Sequence, residues 1–199
     1  MRLLLCLILV LLPMNKIVKL ISYNTTGLDT IKLKWINELL ETFDIELVQL
    51  QEHFKAIRQV DSYYKQNFKK YDSYAIPAIR GNVNHVGRPK GGLVQMVNKQ
   101  SIIKKERIPN KSWRVQAQVL HVKNYKLLWI NVYMPTDPQT QQLDEAEILE
   151  TLSEIDKIIE TATFHDIVLG GDFNWDQRRS TGFSRIMDDF MSKYGLVSI

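Results

Sequence analysis

Apolar residues recur along this chain with two different periods. Ile17 to Tyr23 alternates and is rich in β-branched residues, so it predicts a strand. Asn24-Thr25-Thr26-Gly27 reads as a turn, and Asp29 stands where a helix cap is expected. Leu28, Ile31, Trp35, Ile36, Leu39, Leu40 and Phe43 then follow at helical spacing and define one apolar face. Ile45 to Leu50 reads as a buried strand, and it ends at Gln51-Glu52.

Lys55 to Lys70 predicts a short helix or loop, and Tyr71 to Ile76 a strand. Arg80 to Lys90 is a Gly-, Asn- and Arg-rich loop. Further strands are expected at Gly92–Asn98, Ile102–Ile108, Arg114–Val122 and Leu127–Tyr133, with a hairpin turn at Lys123-Asn124-Tyr125. A long helix over Gln142–Thr161 would place Leu143, Ala146, Leu149, Leu152, Ile155 and Ile159 on one side. A short strand, Ile167–Leu169, runs into Gly170-Gly171-Asp172-Phe173-Asn174, and a last helix covers Phe183–Tyr194. Two strand–helix–strand units flank a set of hairpins. That order predicts a layered α/β sandwich rather than a purely parallel sheet.

The 199 residues and 45% apolar content suit one domain with a real core. Cys6 is the only cysteine, so a disulfide framework or a cysteine-based zinc site within one chain is excluded. The net charge of +4 hides an asymmetry. From Lys55 to Lys126 there are sixteen Lys/Arg against three Asp/Glu, and from Leu127 to Ile199 five against thirteen. A basic middle segment of this kind attracts polyanions, and the acidic remainder can hold a cation. At the start, Leu3 to Leu12 is apolar and broken by Pro13. The run is too short for a membrane-spanning helix, which needs roughly 20 residues. Residues 1–13 therefore read as a leader, signal-like or spurious, ahead of a domain at 14–199.

Polar residues close four of the predicted strands: Asn24, Glu52, Tyr133, and Asp172 with Asn174. Ligand sites in layered α/β folds gather at such ends. Phosphate ester hydrolysis suits this set. Glu52 can hold a hard cation, Mg2+ or Mn2+, and Asp172 can orient or deprotonate a water. Asn24, Asn174 and Tyr133 can hydrogen-bond phosphate oxygens without adding negative charge.

These segments resemble the motifs of the endonuclease/exonuclease/phosphatase superfamily. Leu20 to Leu28 is similar to its first motif and Leu50-Gln51-Glu52 to its metal-binding Gln-Glu motif. Asn131-Val132-Tyr133-Met134-Pro135 is similar to its central Tyr motif, and Gly170-Gly171-Asp172-Phe173-Asn174 to its Gly-Asp-x-Asn motif. Gln51-Glu52-His53-Phe54 and Gly87 to Leu93 look most like the apurinic/apyrimidinic-type endonuclease domain of non-LTR retrotransposons. The resemblance implies an α/β/β/α sandwich of two mixed sheets flanked by helices, and a Mg2+-dependent enzyme that nicks DNA. It assigns the metal to Glu52, the water to Asp172, and phosphate positioning to Asn24, Asn174 and Tyr133.

Two departures qualify it. Thr26 stands where many members carry a second acid, which weakens a two-metal site. Members also end on a Ser-Asp-His type motif that nothing after Ile199 supplies. On that reading the closing strands are missing and activity is impaired. His53, His85, His121 and His165 all lie outside the position of that histidine.

Arg80, Arg88 and Lys90 are candidate contacts to a DNA backbone, and Trp175, directly after Asn174, a candidate rim of the site. Trp35, Trp113 and Trp129 read as packing residues. DNA is the expected partner, with no obligate protein partner evident and a membrane only if the leader is real. The alternatives are a phosphatase or sphingomyelinase-type phosphoesterase of the same superfamily, and a non-catalytic retroelement remnant or DNA-binding module. A nuclear or cytoplasmic location fits the retrotransposon reading; a secreted or membrane-anchored one fits a real leader.

Overall fold

The computed structural model describes residues 5–12, 16–80, 87–101, 103–109, 111–135, 143–174 and 182–198. The elements follow in the order β1 (Leu5–Leu12), β2 (Lys16–Asn24), α1 (Thr30–Thr42), β3 (Leu47–Gln51), α2 (Val60–Asn67), β4 (Tyr71–Ile76), β5 (Leu93–Asn98), β6 (Lys104–Ile108), β7 (Val115–Val122), β8 (Tyr125–Tyr133), α3 (Leu143–Thr161), β9 (Asp166–Asp172) and α4 (Gly182–Tyr194). One sheet has the order β1-β2-β3-β5-β4 and the other β6-β7-β8-β9. Each is mixed. β2 and β3 are parallel, joined by the α1 crossover, and β8 and β9 are parallel, joined by α3. The remaining strand pairs are antiparallel.

The sandwich follows from alternation. On β2 and β3, Ile21, Tyr23, Val48 and Leu50 pack outward on α1 and α2. On β7 and β8, Val115, Ala117, Leu128 and Ile130 pack outward on α3 and α4. The opposite faces meet between the sheets, where Val18, Leu20, Leu47, Leu120, Leu127 and Trp129 form an apolar slab. β3 is buried at all five positions because it is covered on both sides.

Local chemistry sets the boundaries. The Asp29 carboxylate caps α1 by accepting from the Lys32 N–H at 2.8 Å. The buried face of α1 is narrower than its apolar content suggests. Ile36 and Leu40 are buried, whereas Ile31 and Phe43 face solvent. On α3 the buried stripe is Ile148, Leu152, Ile155 and Ile158, and Leu149 is exposed. In both helices the apolar residues outnumber those that the sheet covers.

The β7–β8 hairpin closes through Lys123-Asn124 alone, with Val122 paired to Tyr125. β9 extends beyond Leu169. Gly170, Gly171 and Asp172 do not leave the strand but pair with Asn131, Val132 and Tyr133. The stretch read as a leader contributes β1, whose eight residues pair with Lys16–Tyr23 at the edge of the first sheet. No helix among the described residues is long and apolar enough to cross a membrane.

Candidate active site

The two parallel pairs end at the same rim of the sandwich. β2 brings Asn24 there, and the turn after β3 brings Glu52. β8 brings Tyr133, and β9 brings Asp172 with Asn174 two residues on. All five side chains are half-buried. Two hydrogen bonds tie them together across the sheets. The Asn24 amide Nδ2 donates to Asp172 Oδ2 at 2.5 Å, joining residues 148 positions apart. The Tyr133 hydroxyl donates to Glu52 Oε1 at 2.6 Å.

Each side chain is held in place by its own backbone surroundings. The Asn24 carbonyl oxygen accepts from the Thr26 N–H at 2.8 Å and from the Thr26 hydroxyl at 3.2 Å, so its amide nitrogen must face Asp172. Asp172 Oδ1 accepts from the Asn174 N–H at 3.2 Å, and Asn174 Nδ2 donates to the Met134 carbonyl at 2.9 Å. Lys32 Nζ donates to the carbonyls of Thr25, Thr26 and Gly27, clamping the turn after β2. Thr25 donates its hydroxyl to the Gln51 and Glu52 carbonyls at 3.0 Å, which locks this turn to the one carrying Glu52.

Non-glycine residues in the left-handed region concentrate here: Thr26, Glu52, Phe54 and Asn174 have φ of 43°, 53°, 56° and 49°. Such conformations cost of order 1 kcal/mol or more each and persist only where surroundings impose them. The double glycine has a different cause. A Cβ on Gly170 would lie 1.9 Å from Gln49 Nε2, and one on Gly171 would lie 2.0 Å from the Val132 carbonyl. Glycine at these positions lets β9 press against β8 and β3 just before Asp172.

Burial raises the proton affinity of Asp172 above the ordinary carboxylate range. The Asn24 amide and the Asn174 N–H oppose the shift, and the nearby Glu52 charge adds to it. Burial, followed by the Glu52 hydrogen bond, pushes the Tyr133 phenol up, so its hydroxyl stays protonated and donates.

The donors at the site are carboxylate, amide and phenol oxygens. Among the described residues no three His, Cys, Asp or Glu side chains converge, which does not fit a zinc site. The set does fit a hard cation such as Mg2+, which takes one or two carboxylates and completes its shell with water and substrate oxygens. Glu52 is the residue that would hold it, with Asp172 and Asn24 nearby.

None of the described histidines reaches the rim. His53 is buried. Its Nδ1 accepts from the Lys55 N–H at 3.0 Å, and its Nε2 lies 3.1 Å from the Ile76 carbonyl. Burial lowers its pKa to about 4, so the ring is neutral and supports the turn after Glu52. His121 sits beside Glu106, and His165 stacks on Tyr125 at the opposite end of β9 from Asp172. His85 and Trp175 lie outside the described residues.

Arg80, Arg88 and Lys90 are exposed. Ile79 and Lys90 form an antiparallel bridge, and the Phe54 N–H donates to the Gly91 carbonyl at 3.1 Å, joining Gly91 to the Glu52 turn. The Arg88 guanidinium stacks 4.2 Å from the Phe54 ring centroid.

Two contributors were not legible in the sequence. One is the buried amide network under the rim, where Gln51 Nε2 donates to Asn131 Oδ1 at 2.7 Å. The other is Trp113-Arg114, which packs against Tyr133. The only hint in the sequence was the presence of polar residues inside otherwise apolar strands.

No protein-family model and no curated protein sequence matches the chain. Solved structures do match. The endonuclease domain of TRAS1, a telomere-specific non-LTR retrotransposon, superposes with a TM-score of 0.62 at 10% identity, over 89% of this chain and 72% of that one. The AP endonuclease LMAP from Leishmania major gives 0.63 at 15% identity, over 88% and 66%. TDP2 from D. rerio, in complex with a single-strand DNA product, gives 0.55 at 17% identity, over 91% and 66%. The chain has the endonuclease/exonuclease/phosphatase fold. In that fold, the rim where β2, β3, β8 and β9 end is the place where Asn24, Glu52, Tyr133, Asp172 and Asn174 meet.

Proposed function

We propose that this protein hydrolyses phosphodiesters with a bound Mg2+ or Mn2+, acting as a DNA-nicking endonuclease of the retrotransposon type. The observation that carries this reading is the pair of cross-sheet hydrogen bonds, Asn24–Asp172 and Tyr133–Glu52. The fold shared with DNA-processing nucleases and the exposed Arg88, stacked on Phe54 two residues after Glu52, support it.

The cation, when bound, offsets charge that builds on the phosphoryl oxygens. The chain's own groups do the rest. Asp172, with its raised proton affinity, takes a proton from the attacking water. Asn24 and Asn174 fix the carboxylate, so it needs no reorganisation. Tyr133 holds the Glu52 carboxylate in one orientation. Arg88, Lys90 and Arg80 meet the DNA backbone by charge alone, and their contribution falls with added salt.

A second reading, DNA binding without turnover, is favoured by the absence of a histidine from the site among the described residues. Plasmid nicking with Mg2+ and with Mn2+, alongside release of phosphate from lipid headgroups, separates the readings. Metal-dependent nicking lost in Asp172→Ala supports the endonuclease. Salt-sensitive binding with no nicking supports the binding module. Headgroup hydrolysis without nicking points to a phosphatase.

A further inference from the structure

The strand register places Arg114 directly opposite Tyr133. Val115 pairs with Val132, and one step outward the Tyr133 N–H donates to the Arg114 carbonyl at 2.8 Å. The Arg114 side chain then folds back over the same residue. Its guanidinium carbon lies 5.4 Å from the Tyr133 ring centroid and 4.1 Å from that of Trp113. Nη1 donates to the Tyr133 carbonyl at 3.4 Å, and Nη2 donates to Glu147 Oε2 on α3 at 2.7 Å. Only 14% of the side chain is exposed.

Trp113 completes a bracket. Its ring centroid lies 6.1 Å from that of Tyr133. Its six-membered ring presses on Gly91 so closely that a Cβ there would stand 2.5 Å from the indole. Gly91 in turn accepts the Phe54 N–H, two residues beyond Glu52. The Trp113-Arg114 pair therefore backs both partners of the Tyr133–Glu52 hydrogen bond, one by packing against the phenol ring and the other through Gly91.

We infer that Arg114, with Trp113 as its platform and Glu147 as its anchor, is a positioning residue that aims the Tyr133 hydroxyl at Glu52. An arginine reserved for a phosphate would keep its fork open to solvent. Here both terminal nitrogens are engaged by protein oxygens and the planar face is covered by an indole. Lysine could keep the charge, but it cannot stack flat while donating in two fixed directions. The Arg114 charge also opposes the rise in the Tyr133 pKa that burial and Glu52 cause. The catalytic consequence rests on the reading of the rim as a phosphodiesterase site; the geometric one does not.

The primary test uses the full chain labelled with ζ-13C tyrosine, with Tyr133→Phe assigning the Tyr133 signal. Glu52→Gln sets the shift expected when the carboxylate partner is lost. Arg114→Met should move the Tyr133 signal in the same direction, and Arg114→Lys should restore it only partly. Glu147→Gln should do the same more weakly, and it serves if the Arg114 variants fold poorly. A Tyr133 signal that ignores Arg114→Met and Glu147→Gln, or one that ignores Glu52→Gln, overturns the inference.

Kinetics provide the second arm. Arg114→Met should lower kcat about tenfold, with KM little changed, as expected when positioning is lost. The Arg114→Met/Tyr133→Phe double variant should be no slower than Tyr133→Phe alone. A rise in KM with a shallower salt dependence would mark Arg114 as a phosphate contact and overturn the inference. If the wild type never nicks DNA but the Tyr133 signal responds as described, the nuclease reading falls and the positioning role stands.

Discussion

The layer between the two sheets changes character along its length. At one end Val18 and Leu20 of β2, Leu47 of β3 and Leu127 and Trp129 of β8 make an apolar slab. Further along the same inward-facing positions come Ser22, Gln49, Gln51 and Asn131, and then the rim residues Asn24, Tyr133 and Asp172. The backbone alternation is the same throughout. The physics is not. Apolar contacts are non-directional and tolerate small shifts of one sheet over the other. Buried amides are directional, and they repay their desolvation only when paired.

Here they are paired across the sheets. Gln51 donates to Asn131, Gln95 to the Trp129 carbonyl, and the Trp129 indole to Gln49. Gln49 Nε2 is the exception, buried against Gly170 without a partner among the described residues. The amide end fixes the relative setting of the sheets at the place where Glu52 and Asp172 must face each other. The apolar end supplies bulk stability.

The largest expected effect concerns the rim alone. Asp172→Ala should reduce metal-dependent nicking by about 10³-fold, within the range for loss of a proton-transfer group. Its far-ultraviolet circular dichroism should match wild type; a loss of fold instead would show that the rim is part of the stabilising core.

Truncating the slab should do the reverse. Leu20→Ala should cost about 2–5 kcal/mol in urea denaturation, because a fully buried leucine of the slab is truncated. Nicking per folded molecule should stay within a few-fold of wild type. Gln51→Leu tests the amide end between the two. It leaves Asn131 Oδ1 without its 2.7 Å donor and should cost about 1–3 kcal/mol. It should also slow nicking, since the inter-sheet setting loosens. Equal kinetic effects in Leu20→Ala and Gln51→Leu would dissolve the distinction between the two ends.

Asp172→Asn has the opposite sign on stability. The folded pKa of Asp172 is raised, so the folded state favours the uncharged group and its ionisation costs stability at neutral pH. The variant should melt higher, by about 2–4 °C for each kcal/mol relieved. It should nonetheless be inactive. A lower melting point would show that the Asn24 and Asn174 hydrogen bonds outweigh burial.

The smallest effect at pH 7 belongs to His53. Its folded pKa of about 4 lies below the ordinary 6.5, so the unfolded state binds the extra proton between these values. Stability from the neutral ring is fully present above pH 6.5 and is lost as pH falls toward about 4. His53→Gln should flatten that part of a melting temperature against pH curve. An unchanged slope would place the acid limit elsewhere.

Much was legible in the sequence because it is local. Strand alternation, the Asp29 cap and the polar residues at strand ends each depend on a few neighbouring positions. Those cues were enough to name Asn24, Glu52, Tyr133, Asp172 and Asn174, which the fold gathers at one rim. Periodicity reports which face of a strand is buried but not which strand lies opposite. The insertion of β5 between β3 and β4, and the use of Leu5–Leu12 as an edge strand, were therefore decided by packing.

The same limit hid the role of the double glycine. Gly170-Gly171 reads locally as a strand end, yet in the fold it is the place where β9 has no room for a Cβ. It hid Trp113-Arg114 as well. What a side chain at a strand end touches depends on the strand beside it, and that strand begins eleven residues further along the chain at Tyr125, with Tyr133 facing Arg114 only after the hairpin has closed. The sequence determined which groups could do chemistry. The tertiary structure decided their distances, since hydrogen bonds act over about 3 Å and only a closed sandwich brings residues 148 positions apart within that reach.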